Sequence, residues 1–82
     1  MLKLKCHKAN MTEVIIGKIS FLFSYETPVA AHVEGKGFYR TSECHSNTTQ
    51  RHINAWFAKE GASTWKEQPQ EWFNGFISMM IP

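Results

Sequence analysis

The stretch ISFLFSYETPVAAHVEGKGFYRT, at residues 19–41, decides the fold of this chain. It contains three short runs rich in aromatic and β-branched residues, separated by residues that favour turns. We therefore predict three strands, at residues 19–25, 28–33 and 38–41. Strands joined by such short turns lie antiparallel, so the segment predicts a β-meander.

The second turn of this meander sets the register of its last two strands. Gly35-Lys36 is suited to the central positions of a type II′ turn, because glycine at the first of them tolerates a positive φ. Such a turn pairs Val33 with Phe38 and Ala31 with Arg40. Because side chains alternate between the two faces of a strand, the predicted core face carries Val29, Ala31, Val33 and Phe38.

Further strands are predicted on both sides of the meander. Residues 12–17 contain a run of branched apolar residues that ends in a glycine, which is typical of a strand. Residues 2–6 are suited to a short edge strand, and residues 64–67, with Trp65 between polar neighbours, to a returning strand. The prediction is a small antiparallel sheet of three to five strands.

After the meander the apolar period changes, and residues 48–60 are predicted to form a helix that ends before Gly61. Asn47 begins a pattern that resembles a capping box, while Ser46 and Thr48 remain alternatives for the cap. The residues at helical spacing that are expected to face the sheet are Ile53, Trp56 and Phe57.

A second helix is predicted at residues 69–79, with Pro69 in its first turn and with Gly75 as a place where it stops or kinks. Its apolar stripe consists of Trp72, Phe73, Phe76, Ile77 and Met80. Three Trp, two Tyr, six Phe and four Met are many for so small a core. We therefore expect this stripe to form an interface in a homo-oligomer, with the helix packed on the sheet or on a second copy.

Together these elements predict an α+β fold in which two helices cover a small antiparallel sheet. A strongly bent sheet of this kind can also close on itself, so a small Sm-like or SH3-like barrel is the alternative. The chain of 82 residues is long enough for one domain, at residues 1–82. At this length the core is small and leaves little room for a deep pocket.

Composition and charge narrow the class of protein. The net charge of +2 is far below that of a dedicated duplex-DNA binder. All seven acidic residues are Glu, and the lack of Asp disfavours calcium loops and Mg²⁺-dependent phosphoryl transfer. We predict no cofactor, and the sequence identifies no small-molecule substrate.

The chain is expected to be cytoplasmic, in the host cell cytoplasm if a phage encodes it, and to have no membrane partner. The first ten residues lack the apolar region of a secretory signal. The most apolar stretch, residues 14–23, is interrupted by Gly17 and Lys18 and has about half the length needed to cross a bilayer.

Two Cys-His pairs, Cys6-His7 and Cys44-His45, suggest a zinc site, because two Cys and two His form a common tetrahedral ligand set. Their spacing disfavours it, since zinc ligands usually lie two to four residues apart, whereas neighbours on a strand point to opposite faces. We predict no metal, two small, semi-buried thiols that stay reduced, and two surface histidines. A zinc site and a disulfide remain the alternatives.

Nucleophilic catalysis would pair Cys44 with His32, His45 or His52, oriented by Glu43. The chain lacks the glycine-flanked turn that presents a nucleophile and a glycine-rich loop that holds phosphate. We predict that the protein is not an enzyme.

A binding site is instead predicted at the start of the first helix, where hydroxyls, a cation, an imidazole and an amide lie close in sequence. Free N–H groups at a helix start can also hold an anion or an acidic side chain of a partner. The predicted binding residues are Thr48, Thr49, Arg51, His52 and Asn54.

Single-stranded nucleic-acid or RNA binding is the alternative function. Aromatic residues of the meander lie near cations, and single-strand binders combine these two residue types on a sheet. The residues of this alternative site are Lys18, Lys36, Tyr39 and Arg40.

Three segments carry a resemblance to a known family: residues 23–30, 37–41 and 46–56. They resemble a family of small uncharacterised bacteriophage and metagenomic proteins with the pattern SY-T-PVA followed by S-x-TT-x-x-HIN-x-W. The likeness covers residues 20–57 and, more loosely, residues 68–76, and it leaves the first eighteen residues outside. The positions that match its pattern are Tyr25, Thr27, Ser46, Thr48, Thr49, His52 and Asn54.

The resemblance implies a phage accessory protein but no particular chemistry. With the small core and the missing catalytic motifs, it favours a non-enzymatic interaction module that binds a macromolecule. The expected partner is a protein or a second copy of the chain, with nucleic acid as the alternative.

Overall fold

A computed structural model describes residues 2–8 and 10–80 and shows one open sheet with a helix on each face. The strands are β1 (Leu2–Lys8), β2 (Met11–Ile16), β3 (Ile19–Ser24), β4 (Thr27–Val33), β5 (Gly37–Thr41) and β6 (Lys66–Gln68). The helices are α1 (Asn47–Glu60) and α2 (Gln70–Met80). The predicted α+β class, the meander and both helices are confirmed.

The six strands lie in the order of the sequence, with β1 and β6 at the two edges. Strands β1 to β5 pair antiparallel, and the three-residue β6 pairs parallel to β5. The sheet is therefore mixed, with one strand more than predicted. Because β1 and β6 do not pair, it stays open and the barrel alternative is wrong.

The type II′ turn predicted at Gly35-Lys36 is wrong by one residue in register. Val33 pairs with Gly37 and Ala31 with Tyr39, so the connection has three residues. Gly35 takes a φ of +83° and the Lys36 amide donates to the Val33 carbonyl at 2.9 Å. The positive φ thus falls at the second position of the turn, and the strand after it is displaced by one residue.

The displaced register places Phe38 and Tyr39 on the faces opposite to those predicted. Phe38 lies on the α1 face with Ala30, and Tyr39 lies on the α2 face with Ala31. The predicted single core face of Val29, Ala31, Val33 and Phe38 is therefore wrong. The sheet has two apolar faces, and each needs its own cover.

Each helix covers one of these faces. The cluster under α1 contains Met11, Leu22, Val29, Ala30, Ile53, Trp56 and Phe57. The cluster under α2 contains Phe21, Ala31, Tyr39 and Phe73. The neighbours Phe21 and Leu22 on β3 thus belong to different cores, which accounts for much of the large aromatic content.

Helix α1 begins and ends with side-chain and backbone caps. Ser46 is the N-cap, and its hydroxyl accepts from the Thr49 amide at 3.3 Å, which selects Ser46 among the three candidates. At the other end, Gly61 has a φ of +76°, and the Gly61 and Ala62 amides donate to the Ala58 and Phe57 carbonyls. This is a Schellman motif, in which the chain reverses at a left-handed glycine.

Replacement of Gly61 by alanine is expected to lower the free energy of unfolding by about 1–2 kcal/mol, because a Cβ disfavours left-handed backbone. The space around the position is open, so the cost comes from the backbone and not from a clash. Gly75→Ala is the matched control. Its site is helical and also open, so it should gain about 0.5–1 kcal/mol. Urea unfolding of both variants measures the difference, and a loss of equal size in both would contradict this origin.

Helix α2 follows Pro69 and continues through Gly75, so the predicted stop there is wrong. Gln70 fixes its first turn. The side-chain Nε2 of Gln70 donates to the Pro28 carbonyl at 2.7 Å, and the Gln70 Oε1 lies 3.0 Å from His45 Nε2. The first turn of α2 is thereby tied to β4 and to the segment before α1.

Candidate functional site

A buried polar cluster joins the first turns of α1 to the end of β3. Ser24 Oγ lies 2.8 Å from His52 Nδ1 and 2.9 Å from Thr49 Oγ1. The Ser46 hydroxyl donates to Thr49 Oγ1 at 3.3 Å. Ser24, Thr49 and His52 are all buried, and the three side chains satisfy one another's hydrogen-bonding groups.

This cluster divides the binding site predicted on α1. Thr49 and His52 point inward to Ser24, whereas Thr48, Arg51 and Asn54 are exposed. The five side chains therefore do not form one surface. Ser24 completes the cluster, and sequence reasoning missed it because β3 and α1 are separated by more than twenty residues.

The Ser24–His52 pair has the residue types of a nucleophile and its base, but not the access. Ser24 is only 2% exposed and His52 only 7%. A nucleophile must reach its substrate, and this hydroxyl lies beneath α1. The cluster is built to hold the helix on the sheet.

The cysteines and the other histidines considered for nucleophilic catalysis lie apart. Cys6 lies on β1 and Cys44 follows β5, with three strands between β1 and β5. Both thiols are free, and both are exposed, so their predicted semi-burial is wrong. His32 stacks on Phe38 with ring centroids 4.4 Å apart, and His45 contacts Gln70. Among residues 2–8 and 10–80, no group of three His, Cys, Asp or Glu side chains has the geometry of a metal site.

The residues predicted for nucleic-acid binding also separate. Tyr39 is buried under α2 and packs against Trp72, with ring centroids 4.9 Å apart. Arg40 is half-buried on the opposite face, where its Nη2 donates to Gln50 Oε1. Lys18 and Lys36 are exposed in adjacent turns, since the Glu34 amide donates to the Lys18 carbonyl at 3.0 Å. Of the four residues predicted for nucleic-acid binding, Lys18 and Lys36 therefore lie close together, and Tyr39 and Arg40 lie elsewhere.

The apolar stripe of α2 packs on the chain's own sheet. Phe73 is fully buried against Phe21, and Trp72, Phe76 and Ile77 pack around them. The side chain of Met80 lies outside the described part. The apolar stripe is confirmed for its described members, and these cover the second sheet face of the same chain. Self-association through α2 stays a prediction.

A cleft of about 360 Å³ opens at the end of the sheet that carries the Lys18 and Lys36 turns. One wall is the β4–β5 turn with the start of β5, and the other is the linker from α1 to β6. Its lining residues are Lys36, Gly37, Phe38, Gly61, Ala62, Ser63, Thr64, Trp65 and Lys66. Among the described residues, no carboxylate lines it.

Aromatic rings form the base of this cleft. Phe38 and Trp65 both pack against Phe57, with ring centroids 5.6 and 5.0 Å from it. Phe57 is buried, whereas 45% of Trp65 is exposed. The indole is therefore supported from below and accessible from the solvent side.

Both ends of the linker fix the position of Trp65. The Schellman motif at Gly61 and Ala62 holds one end on α1. At the other end, Lys66 pairs with Tyr39 in the parallel β5–β6 ladder. Between these two ends the linker diverges from β5, and the space between the linker and β5 is the cleft. The sequence pattern assigns Trp65 to a strand. An isolated Trp that follows Gly, Ser and Thr was the available signal for an exposed ring on a linker.

The fold and the site define a small α+β domain in which two helices enclose an open sheet and a lysine-flanked aromatic cleft lies at one sheet end. The chain belongs to a family of unknown function, DUF8033, whose model matches residues 2–75. No curated protein and no solved structure matches this chain. The match includes β1 and β2, which the resemblance noted from residue 20 onward left out. Neither helix, over its described residues, has the length and apolar character needed to cross a membrane.

Proposed function

We propose that this protein is a phage-type accessory protein, a non-enzymatic module that binds a macromolecule in the cytoplasm. The phage assignment is supported by the resemblance in residues 20–57. The binding role is supported by what the fold buries and by the aromatic cleft that it leaves exposed. Both faces of the sheet are covered by the chain's own helices, and the Ser24–His52 pair is buried.

The exposed, supported indole of Trp65 is the observation that carries the proposal. Tryptophan is enriched at binding surfaces because it offers a large apolar area at a small cost in conformational entropy. Here the ring lines a concave site that Lys36 and Lys66 also line. A flexible lysine can contact a partner's acidic groups while the indole is covered.

Capture from cell lysate tests this proposal. The tagged wild-type protein is compared with Trp65→Ala and with the control Tyr25→Ala, which removes another exposed ring. Tyr25 lies in the β3–β4 turn, at the opposite end of β4 from Lys36. We expect the wild type and Tyr25→Ala to retain the same macromolecule and Trp65→Ala to lose most of it.

A third variant separates the cleft from the site predicted on α1. Arg51 is exposed on that helix, so Arg51→Glu changes the charge of the helix surface without touching the cleft. The proposal predicts that Arg51→Glu keeps the partner. Loss of the partner in Arg51→Glu with retention in Trp65→Ala would move the binding surface to α1, and equal capture by all variants would refute a specific surface.

A further inference from the structure

We propose that the cleft binds single-stranded nucleic acid, with one base stacked on Trp65 and the neighbouring phosphates held by Lys36 and Lys66. This inference rests on the proposed binding function and names its partner. It differs from the sequence-based alternative, because Tyr39 and Arg40 have no part in it.

The ring geometry suits stacking of a base. Single-strand binders place bases on exposed aromatic side chains, and they tolerate different sequences because every base has a π-face. One side of Trp65 packs on Phe57, and 45% of the residue is exposed. Because the linker is fixed at both ends, the indole is held in place before the base arrives, which lowers the entropy cost of binding.

The charges at the cleft suit a phosphate backbone. Lys36 lies on the turn wall and Lys66 on the linker wall, so each wall of the cleft carries a cation. Lys18 adds a third cation in the adjacent turn. The exposed carboxylates of Glu34 and Glu60 lie outside the lining. An anionic strand is therefore favoured over a basic or neutral partner.

The hydroxyl groups of Ser63 and Thr64 add hydrogen-bonding capacity beside Trp65. Hydroxyl side chains commonly contact phosphate and sugar oxygens, and such contacts carry no sequence preference. The cleft is short, at about 360 Å³, so it holds one or two nucleotides of a longer strand. We therefore expect weak, sequence-tolerant and salt-dependent binding.

Fluorescence anisotropy with labelled oligo(dT) or oligo(U) of about ten nucleotides tests the inference at low salt. Loss of the stacking platform in Trp65→Ala should weaken binding roughly 5- to 150-fold. The double variant Lys36→Ala with Lys66→Ala should make the slope of log affinity against log salt shallower by about 1.4, since each phosphate contributes about 0.7. Tyr25→Ala, in the turn between β3 and β4, should bind as the wild type does.

Several outcomes would overturn the inference. These are no saturable binding of either oligonucleotide, equal binding of a matched duplex, or the same loss in Tyr25→Ala as in Trp65→Ala. If Trp65→Ala does not fold, the lysine double variant at exposed positions still decides. Tighter binding of a polyglutamate peptide than of either oligonucleotide would assign the cleft to an acidic protein. If lysate capture depends on Trp65 and resists nuclease, the binding module survives and this partner does not.

Discussion

Replacement of Phe73 by alanine is expected to lower the free energy of unfolding by about 3–5 kcal/mol. Phe73 is fully buried between α2 and the sheet, where it contacts the cluster of Phe21, Ala31 and Tyr39. Its removal leaves a cavity in the smaller of the two cores. A domain of this size has a total stability of only a few kcal/mol, so the variant should be largely unfolded at room temperature.

Met79→Ala is the matched control on the same helix. Met79 is 86% exposed, so its truncation should change stability by less than about 0.5 kcal/mol. Urea unfolding followed by circular dichroism measures both variants. If Phe73→Ala keeps its stability and changes only the sedimentation of the protein, then α2 packs on a second copy in solution and not on its own sheet.

Replacement of Ser24 by alanine is expected to cost about 2–4 kcal/mol, the second largest effect. The change removes the buried hydroxyl that bonds both Thr49 and His52. Removal of one partner of a buried hydrogen bond costs about 1–3 kcal/mol, and here two bonds are lost, although Thr49 keeps its bond to Ser46. The first turns of α1 should loosen before the rest of the helix.

Ser42→Ala, at an exposed position after β5, is the control and should be close to neutral. Amide hydrogen exchange reports where the structure opens, since local unfolding exposes amides residue by residue. The expected result is faster exchange at the start of α1 in Ser24→Ala alone. Unchanged stability together with altered partner binding would instead make the Ser24 cluster a functional site.

The element types could be predicted from the sequence because each carries a local signal. The apolar residues Ile53, Trp56 and Phe57 recur at helical spacing, and all three are buried under α1. The register of β4 with β5 could not be predicted in the same way. Gly35 and Gly37 both tolerate a positive φ, so a two-residue and a three-residue turn are equally compatible with the sequence.

Alternation along the strands could not correct that error. A shift of one residue in register moves every side chain of the strand to the other face. Such a shift can be detected from the sequence when one face of the sheet is polar. Here Phe38 and Tyr39 are both apolar enough for burial, and each face of the sheet has its own helix. The pattern therefore contained no polar face to fix the register.

The candidate sites were harder to predict than the fold because they depend on contacts between distant segments. His52 and Thr49 were identified as interesting, but their burial depends on Ser24, twenty-eight and twenty-five residues away in sequence. The cleft joins a β-turn to a linker more than twenty residues later. Trp65 can be recognised as part of a candidate binding site only once the fold shows its contact with Phe57 and the cleft that it shares with Lys36.

An amide ¹H–¹⁵N NMR titration of the wild-type protein with oligo(dT) at low salt shows directly which surface binds the strand. We expect the shift changes to concentrate at residues 36–38 and 61–66, which line the cleft, with smaller changes at Lys18. We also expect the Trp65 indole resonance to move with the same affinity. Changes confined to Thr48–Asn54 on α1, or no saturable change, would show that the cleft is not the binding site.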